Sequence, residues 1–448
     1  MRYLICSAVI CSLRSWLPQG QSHRSVPQRS RGTCERPVFT LLLILLLGTC
    51  VRAQSLDSLK AELRRENPEL RALELDYEAA MRVGGQLNQL PDLEVGAGIF
   101  VLPVETRTGP QQFRVGATQM LPWPGKLAAL ANVADARARP LLQKAAALQL
   151  MLLYRLETAY FNMAGLAEQR EVLEESLALY GSLNQLALRR VESGKGSSVD
   201  VYRIQLQRQK VERRLAELRY LAVQEAVKIN ELLNRPADTP VYASMNVDER
   251  ARETLEFALD LAADDPDLSR HPGLLIYRQQ QAVNELAIEL TRLDQRPDFG
   301  VGVEYIAVGR RDDAEPAGNG RDVILPRASV RIPLSQRKFA AKRQEEQVRI
   351  RALDARREAT ENEFRAAIRR ALNAIDNAAN ELYFLGEQTR VLDATLAIAR
   401  SEYANGQRAF DELLRLENQL IDLRTRAVTA QTTILLQRAV IDRYLITN

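Results

Sequence analysis

Cysteine, histidine and tryptophan are scarce in this chain. Its 448 residues include four cysteines, two histidines and two tryptophans. All the cysteines and one histidine lie before residue 54, in a stretch that we predict is removed: Cys6, Cys11, Cys34, Cys50 and His23. The remaining chain then has no thiol and a single histidine, His271, which excludes disulfides and Cys/His metal sites. We predict that it binds no metal and no cofactor.

Long apolar runs are also missing, except for one from Val38 to Val51. That run is too short to span a bilayer as a helix, and a small-residue cleavage site follows it. Residues 1–53 are therefore predicted to be a signal peptide with an over-long leader, cut after Ala53. One alternative is that residues 47–50 form a lipoprotein box with Cys50 lipidated. Another is a translation start downstream of Met1.

The apparent basic charge belongs to the leader. The whole chain has 61 Lys and Arg against 57 Asp and Glu, and the leader holds seven of the former and one of the latter. The mature chain therefore has 54 basic and 56 acidic residues, which is close to neutral. This balance gives no support to nucleic-acid binding. A nucleophile motif, a phosphate loop and a clustered Cys/His set are also lacking, so we predict that the protein is not an enzyme.

Glycine and proline are rare over two stretches, from about Gly125 to Ser193 and from about Gln336 to Asn405. Uninterrupted helices of that length would be rods of roughly 100 Å, far longer than the helices of globular domains. The helices before the strands, Leu56 to Gln89 and Pro272 to Asp294, are shorter. Apolar residues near the C-terminus alternate three- and four-residue steps, as in a coiled-coil seam: Leu413, Leu416, Leu420, Leu423, Ala427, Ala430 and Ile434.

The sequence contains an internal repeat. Pro91-Asp92-Leu93-Glu94-Val95-Gly96 returns as Pro297-Asp298-Phe299-Gly300-Val301-Gly302. The prediction is a leader over 1–53, a first repeat over 54–235, an equatorial segment over 236–251 and a second repeat over 252–448. Each repeat contains a helix, a strand hairpin, a long helix, a tip and a second helix. The hairpins are expected at about 93–120 and 298–333, and the tips at about 194–200 and 405–412.

The predicted strands alternate between apolar and polar residues. Leu93, Val95, Ala97, Ile99 and Val101 share one face, whereas Glu94, Gly96 and Gly98 share the other. Such alternation suits a lipid-facing barrel with a polar lumen, but it also suits a half-buried soluble hairpin. Four strands cannot close a barrel around an aqueous lumen. Their edges would need strands from other subunits.

Two segments carry a family resemblance. Residues 119–127, Gln-Met-Leu-Pro-Trp-Pro-Gly-Lys-Leu, resemble the strand-to-helix junction of TolC-like outer-membrane efflux proteins, and residues 194–201 resemble their helix-hairpin tip. The resemblance covers about Leu56 to Tyr444. The second repeat is less faithful, because its junction lacks the Trp-Pro-Gly core and its tip is one residue shorter.

The resemblance implies a mostly helical fold with a small β part. Long antiparallel coiled-coil helices would form a periplasmic α-barrel, and four strands per chain would contribute to a trimeric 12-stranded β-barrel in the outer membrane of a Gram-negative bacterium. The implied partners are a homotrimer, a periplasmic membrane-fusion adaptor, an inner-membrane transporter and outer-membrane lipid, but no nucleic acid. The implied function is a passive efflux duct; the alternative is a periplasmic adaptor or scaffold without a pore.

The candidate site residues follow from this resemblance. The expected adaptor-binding tips comprise Gly194, Lys195, Gly196, Asp200, Gly406 and Arg408. Asp411 and Glu412 are expected at an acidic aperture gate, with Lys195 and Arg408 in contacts that hold or release it. The competing interpretation is that Asp200 and Asp411 are helix N-caps.

The barrel-helix junction is expected at Pro122, Trp123, Pro124 and Gly125. Trp123 is expected either at the membrane interface or in the packing of the junction. Lys126 is expected at solvent-exposed surface, with a lipid headgroup as the alternative. For His271, a turn or capping role is favoured over metal binding.

Overall fold

The protein is described by a computed structural model over residues 55–263, 266–405, 407 and 409–445. These residues form eight helices and four strands. In chain order they are α1 Leu56–Glu66, α2 Pro68–Leu87, β1 Glu94–Thr106, β2 Gly109–Leu121, α3 Lys126–Glu192, α4 Ser198–Leu232, α5 Val247–Ala263, α6 Pro272–Asp294, β3 Asp298–Val308, β4 Val323–Arg331, α7 Gln336–Asn405 and α8 Phe410–Tyr444. Within the described ranges, no helix is both long and apolar enough to cross a membrane.

The prediction of a mostly helical fold with a small sheet is confirmed. The long helices α3 and α7 contain 67 and 70 residues. Shorter helices lie beside them: α3 contacts α2 and α4 as well as α6 and α8, and α7 contacts α6 and α8. Pro140 is tolerated within α3. The shorter helices therefore pack in succession along the long ones.

Each of the two predicted repeats contains a helix that begins in the same way. Asn67 and His271 are N-caps, and a proline follows each at the first helical position. Proline suits this position because its missing N–H would have had no helical acceptor. The expected single helix from Leu56 to Gln89 is thus wrong, since the Asn67 cap divides it into α1 and α2.

The segment between the repeats is only partly irregular. Residues 236–246 are not helical, and α5 begins at Val247, inside the predicted 236–251 segment. Both parts pack into a large core that we call the waist cluster, which also contains Leu156, Ile229 and Ile375. The equatorial segment therefore joins the helical core.

A second core lies near the helix hairpins. This tip cluster includes Tyr180, Ile204, Leu396 and Leu413, from α3, α4, α7 and α8 respectively. Leu413 and Ile204 are completely buried, as coiled-coil seam positions should be. Each half of the helical region thus has its own apolar centre.

The four strands form one antiparallel sheet in the order β1-β2-β3-β4. The register aligns Val95 with Ala117, Ala117 with Val303 and Val303 with Pro326, so one face is apolar across the sheet. The β1–β2 register is regular from Glu94 to Ile99 and shifts between Ile99 and Val104. The strands β1 and β4 are the edges of the sheet within one chain.

Candidate functional site

The two faces of the sheet differ in chemistry. Apolar side chains on one face are strongly exposed, including Ile99 at 82% and Val301 at 49%. The other face has very little side-chain bulk, because five of its positions are glycine: Gly96, Gly98, Gly116, Gly300 and Gly302. A soluble sheet would bury the apolar face against a core.

Charged groups on the polar face converge on Glu304 in β3. Its Oε2 lies 3.1 Å from Nη1 of Arg327 on β4, and its Oε1 lies 3.6 Å from Nη1 of Arg114 on β2. The glutamate side chain is 10% exposed, whereas the arginines are 61% and 56% exposed. Two guanidinium groups therefore cover one carboxylate and remain accessible to solvent.

The junction between sheet and helix connects the two repeats. Gly125 has φ +84° and is the N-cap of α3. Just before it, the Trp123 backbone N–H donates to Asp298 Oδ1 at 3.2 Å. The Trp123 ring stacks on Phe299 with 6.1 Å between centroids. Trp123 thus packs on the start of the second hairpin. Packing of the junction is one of the two roles expected for it.

Lys126 contributes to the same connection. Its Nζ lies 3.1 Å from Asp298 Oδ2 and 3.7 Å from Asp294 Oδ1, and its side chain is 18% exposed. The expectation of a solvent-exposed lysine is therefore wrong, because two carboxylates of the second repeat surround it. Pro122 and Pro124 flank Trp123 in the turn that leads to this ion pair.

The first tip is a tight helix reversal. Gly194 has φ +68°, a conformation that costs L-residues with a Cβ about 1–2 kcal/mol. The backbone N–H of Lys195 donates to the Arg190 carbonyl at 2.8 Å. A Cβ at Gly196 would lie 2.8 Å from the Cβ of Arg190. Both glycines are therefore needed by the backbone path.

Arg190 joins this tip to the end of α7. Its Nη1 donates to the carbonyl of Tyr403, and its Nη2 donates to the Lys195 carbonyl at 3.1 Å. The guanidinium also lies 4.5 Å from the centroid of the Tyr403 ring. Burial raises the pKa of Tyr403; the Arg190 charge opposes this and Asp200 adds to it. The first hairpin is thus held against the second.

The acidic tip residues are not helix caps, so that interpretation is wrong. Ser197 caps α4 by accepting from the Val199 N–H at 3.2 Å, and Asp200 lies in the first turn. Ala409 is the N-cap of α8 and makes no side-chain capping bond. Asp411 is instead 3.2 Å from Nη1 of Arg203 on α4. Both aspartates remain favourably placed in the first turn, at the positive end of the helix dipole.

The remaining predicted site residues are placed as follows. Glu412 lies beside Asp411 in the first turn of α8. Gly406, Arg408, Cys50 and the predicted signal peptide lie outside the described residues. The acidic gate and its expected contacts with Lys195 and Arg408 stay predictions.

Beside the tip cluster, a buried acid pairs with a half-exposed arginine, and the sequence analysis singled out neither residue. Arg400 Nε donates to Glu417 Oε1 at 2.7 Å, and Nη2 donates to Oε2 at 2.9 Å. Glu417 is fully buried, and this bond raises the pKa of Arg400. Burial raises the pKa of nearby Tyr180 to about 12, and Glu417 adds to the effect. Glu417 lies among the leucines of the α8 seam. An acid at such a position needs a partner, and this signal in the sequence could have indicated the pair.

His271 confirms its predicted capping role. Its Nδ1 accepts from the Gly273 N–H at 3.0 Å, and its ring contacts Phe364 edge-on with 4.6 Å between centroids. Burial lowers the pKa of the imidazole, so the neutral ring is favoured. Within the described ranges, no group of three or more His, Cys, Asp or Glu side chains is arranged to hold a metal ion.

The sequence comparison matches part of the chain. Residues 59–235 match the family described as outer membrane efflux protein, a range that contains the first hairpin, the junction and the first tip. None of the curated proteins matches the chain.

Solved structures match the fold over most of the chain. CusC, a transmembrane channel, is 16% identical with a TM-score of 0.68, over 87% of this chain and 91% of CusC. The open-state outer-membrane channel MtrE of Neisseria gonorrhoeae is 18% identical with a TM-score of 0.65, over 87% and 88%. The outer-membrane protein VceC of Vibrio cholerae is 15% identical with a TM-score of 0.64, over 86% and 94%. In sequence over residues 59–235, and in fold over most of its length, the chain resembles the TolC-like outer-membrane efflux proteins.

Proposed function

We propose that this protein is the outer-membrane exit duct of a tripartite efflux pump, and that it conducts substrates passively. The observation that carries the proposal is the two-faced sheet joined to helices of 67 and 70 residues. An apolar face suits lipid, a polar face suits a wet lumen, and the helices extend the path by roughly 100 Å.

The sheet supports a trimer. One chain contributes four strands and leaves both edges of the sheet without a partner strand from the described chain. Unsatisfied backbone groups at these edges would be costly in a bilayer. Rotational symmetry resolves this, because β4 of each subunit can pair with β1 of the next until three copies close a 12-stranded barrel. The ion pair between Lys126 and Asp298 then fixes the barrel wall to the start of α3.

The tips are proposed to contact the periplasmic adaptor. Gly194, Lys195, Gly196 and Asp200 form the first docking surface, and Gly406 and Arg408 belong to the second. The contacts of Arg190 with Tyr403 and of Arg203 with Asp411 hold the two hairpins together, so the adaptor would meet one combined surface. An inner-membrane transporter would supply the cargo through the adaptor. Asp411 and Glu412 would form the acidic gate.

The decisive experiment is reconstitution of the processed protein in planar bilayers. We expect a detergent-extracted outer-membrane trimer that conducts ions. Neutralising the proposed gate with Asp411→Asn and Glu412→Gln should change the block by multivalent cations. A monomer that fractionates as soluble periplasmic protein and forms no pore would support the scaffold alternative.

The adaptor contact requires a separate test in cells. A photocrosslinker at Lys195 should capture a periplasmic adaptor, whereas the same group at Arg64 on α1, far along the sequence from either tip, should not. Capture at both positions, or at neither, would argue against docking through the tips.

A further inference from the structure

We propose that Arg114, Glu304 and Arg327 form a charge-selecting ring in the barrel, which favours anionic solutes over cationic ones. This inference rests on the proposed function, because it requires the polar face of the sheet to line the lumen. It assigns a specificity role to three residues of the duct wall.

The first step is the unequal exposure of the three groups. The Glu304 side chain retains 10% of its surface, whereas Arg114 and Arg327 retain 56% and 61%. The carboxylate is therefore covered by the arginines and contributes little negative surface of its own. Solvent meets two guanidinium groups with one compensating charge beneath them, which is a net charge of +1 per chain.

The second step is the lack of a side chain on one side of Arg114 and of Glu304. Gly116 is paired with Glu304 in the register, and Gly98 is paired with Arg114. A Cβ at Gly98 would lie 3.3 Å from Arg114 Nε, so the arginine lies across this glycine. Larger side chains at these positions would lift or cover the guanidinium groups. Gly98 instead leaves Arg114 lying along the wall, and both guanidinium groups stay exposed.

The third step is symmetry. In a closed trimer each chain places the same three side chains at one level of the barrel, which gives a ring with a charge of about +3. Rings of arginine or lysine are a general device for favouring anions in pores. In the regular part of the strand register, Glu94 and Arg331 on the same face cancel one another in sign. Asp298 is neutralised by Lys126. The ring therefore dominates the net charge of this face.

The experiment measures the chloride-to-potassium permeability ratio from the reversal potential of reconstituted trimers in a KCl gradient. Arg327→Gln and Arg114→Gln each remove one charge per subunit, which is three per trimer. Each should lower the ratio by at least about twofold, the effect of a single unit charge acting over roughly 10 Å of water. Glu304→Gln should raise it, because it removes the negative charge. Opposite shifts from neighbouring substitutions separate the electrostatic effect from general damage.

Two controls complete the test. Arg327→Lys keeps the charge and should keep the ratio. Arg64→Gln makes the same change of charge on α1, outside the sheet, and should leave the ratio unaltered. All variants must first migrate as trimers. If Glu304→Gln does not assemble, the two arginine substitutions carry the test, and Glu304→Asp, which keeps the charge, should keep the ratio.

The outcomes distinguish the inference from the function on which it rests. A conducting wild-type trimer whose ratio is unchanged by both arginine substitutions would overturn the ring but leave the duct intact. An equal shift from Arg64→Gln would also overturn it. A wild-type protein without conductance would instead refute the proposed function, and the ring with it.

Discussion

The waist cluster and the tip cluster differ in how many helices they join and in the charged contacts beside them. At the waist, all eight described helices contribute to a large apolar core. At the tips, the four helices of two hairpins meet. Arg203 and Asp411 form a charged pair between the hairpins, and Arg400 and Glu417 form one within the second hairpin. The tip core is therefore the smaller of the two, and charged contacts within and between the hairpins add to it.

Their buried acids show this difference. Glu157 at the waist lies 2.5 Å from Lys60, and burial raises its pKa despite that partner. Losing Lys60 would thus leave a carboxyl that is already inclined to bind a proton. Glu417 at the tips accepts two bonds from one guanidinium.

The largest expected effect concerns the buried acid Glu417 beside the tip cluster. Arg400→Ala should lower the free energy of unfolding by about 2–4 kcal/mol, because it leaves a fully buried carboxylate without its half-exposed partner. Denaturant unfolding of the detergent-solubilised protein measures this. The matched control is Arg424→Ala, whose exposed pairs with Glu175 and Asp393 are worth at most about 1 kcal/mol. Equal losses in the two variants would contradict the comparison.

The next effect tests the close packing of the waist. A Cβ at Gly165 on α3 would overlap the side chain of Thr432 on α8, so Gly165→Ala should cost about 1–3 kcal/mol through overpacking. Thr432→Ala in the same chain should restore much of the loss. Gly181, also in α3, has open space around its Cβ position, and Gly181→Ala should stabilise by about 0.5–1 kcal/mol. A harmless Gly165→Ala would show that the two helices can separate freely.

A smaller effect concerns the first tip. Gly194→Ala should destabilise the protein by about 1–2 kcal/mol, because alanine is strained at φ +68°. Hydrogen exchange should show the loss near residues 190–200 and leave the waist protected. Gly194→Asn is the matched control, since asparagine tolerates this conformation better. Exchange that increases throughout the molecule would indicate that the tip and waist are one cooperative unit.

The smallest effect is the acid response of the waist. Burial lowers the pKa of His271 in the folded protein, so the unfolded chain binds the proton more tightly. Stability from the neutral ring is complete above the unfolded pKa of about 6.5 and declines as pH falls toward the folded pKa. Because a single proton is involved, the free energy of unfolding can fall by at most about 1.4 kcal/mol for each pH unit. His271→Asn keeps a capping residue and should remove the decline.

The measurement is the difference in unfolding free energy between wild type and His271→Asn at several pH values from 7.5 to 5. Glu157 acts in the opposite sense, because a raised carboxyl pKa means stability that is lost as pH rises. It is present in both proteins and cancels in the difference. A difference that does not change with pH would refute the role of His271.

Much of the fold can be predicted from the sequence because its signals are local and repeated. The scarcity of glycine and proline predicts the second long helix over Gln336 to Asn405, and α7 has those bounds. His271 before Pro272 correctly indicates a helix cap. Asn67 before Pro68 is the same capping signal. Interpreted in the same way as His271, it would have predicted the boundary between α1 and α2. An aspartate near a helix start resembles a cap, since a local pattern does not show that Asp411 has an ionic partner on α4.

The sequence by itself determined the long helices, the duplicated plan and the alternation of the strands, because helix continuity and strand periodicity depend on neighbouring residues. Only the tertiary structure decided which distant charges meet. Lys126 lies beside Asp298, Arg400 beside Glu417, and Glu304 between Arg114 and Arg327. A charged side chain looks the same in the sequence whether it faces water or a partner from another element, and the register and packing of those elements determine which occurs.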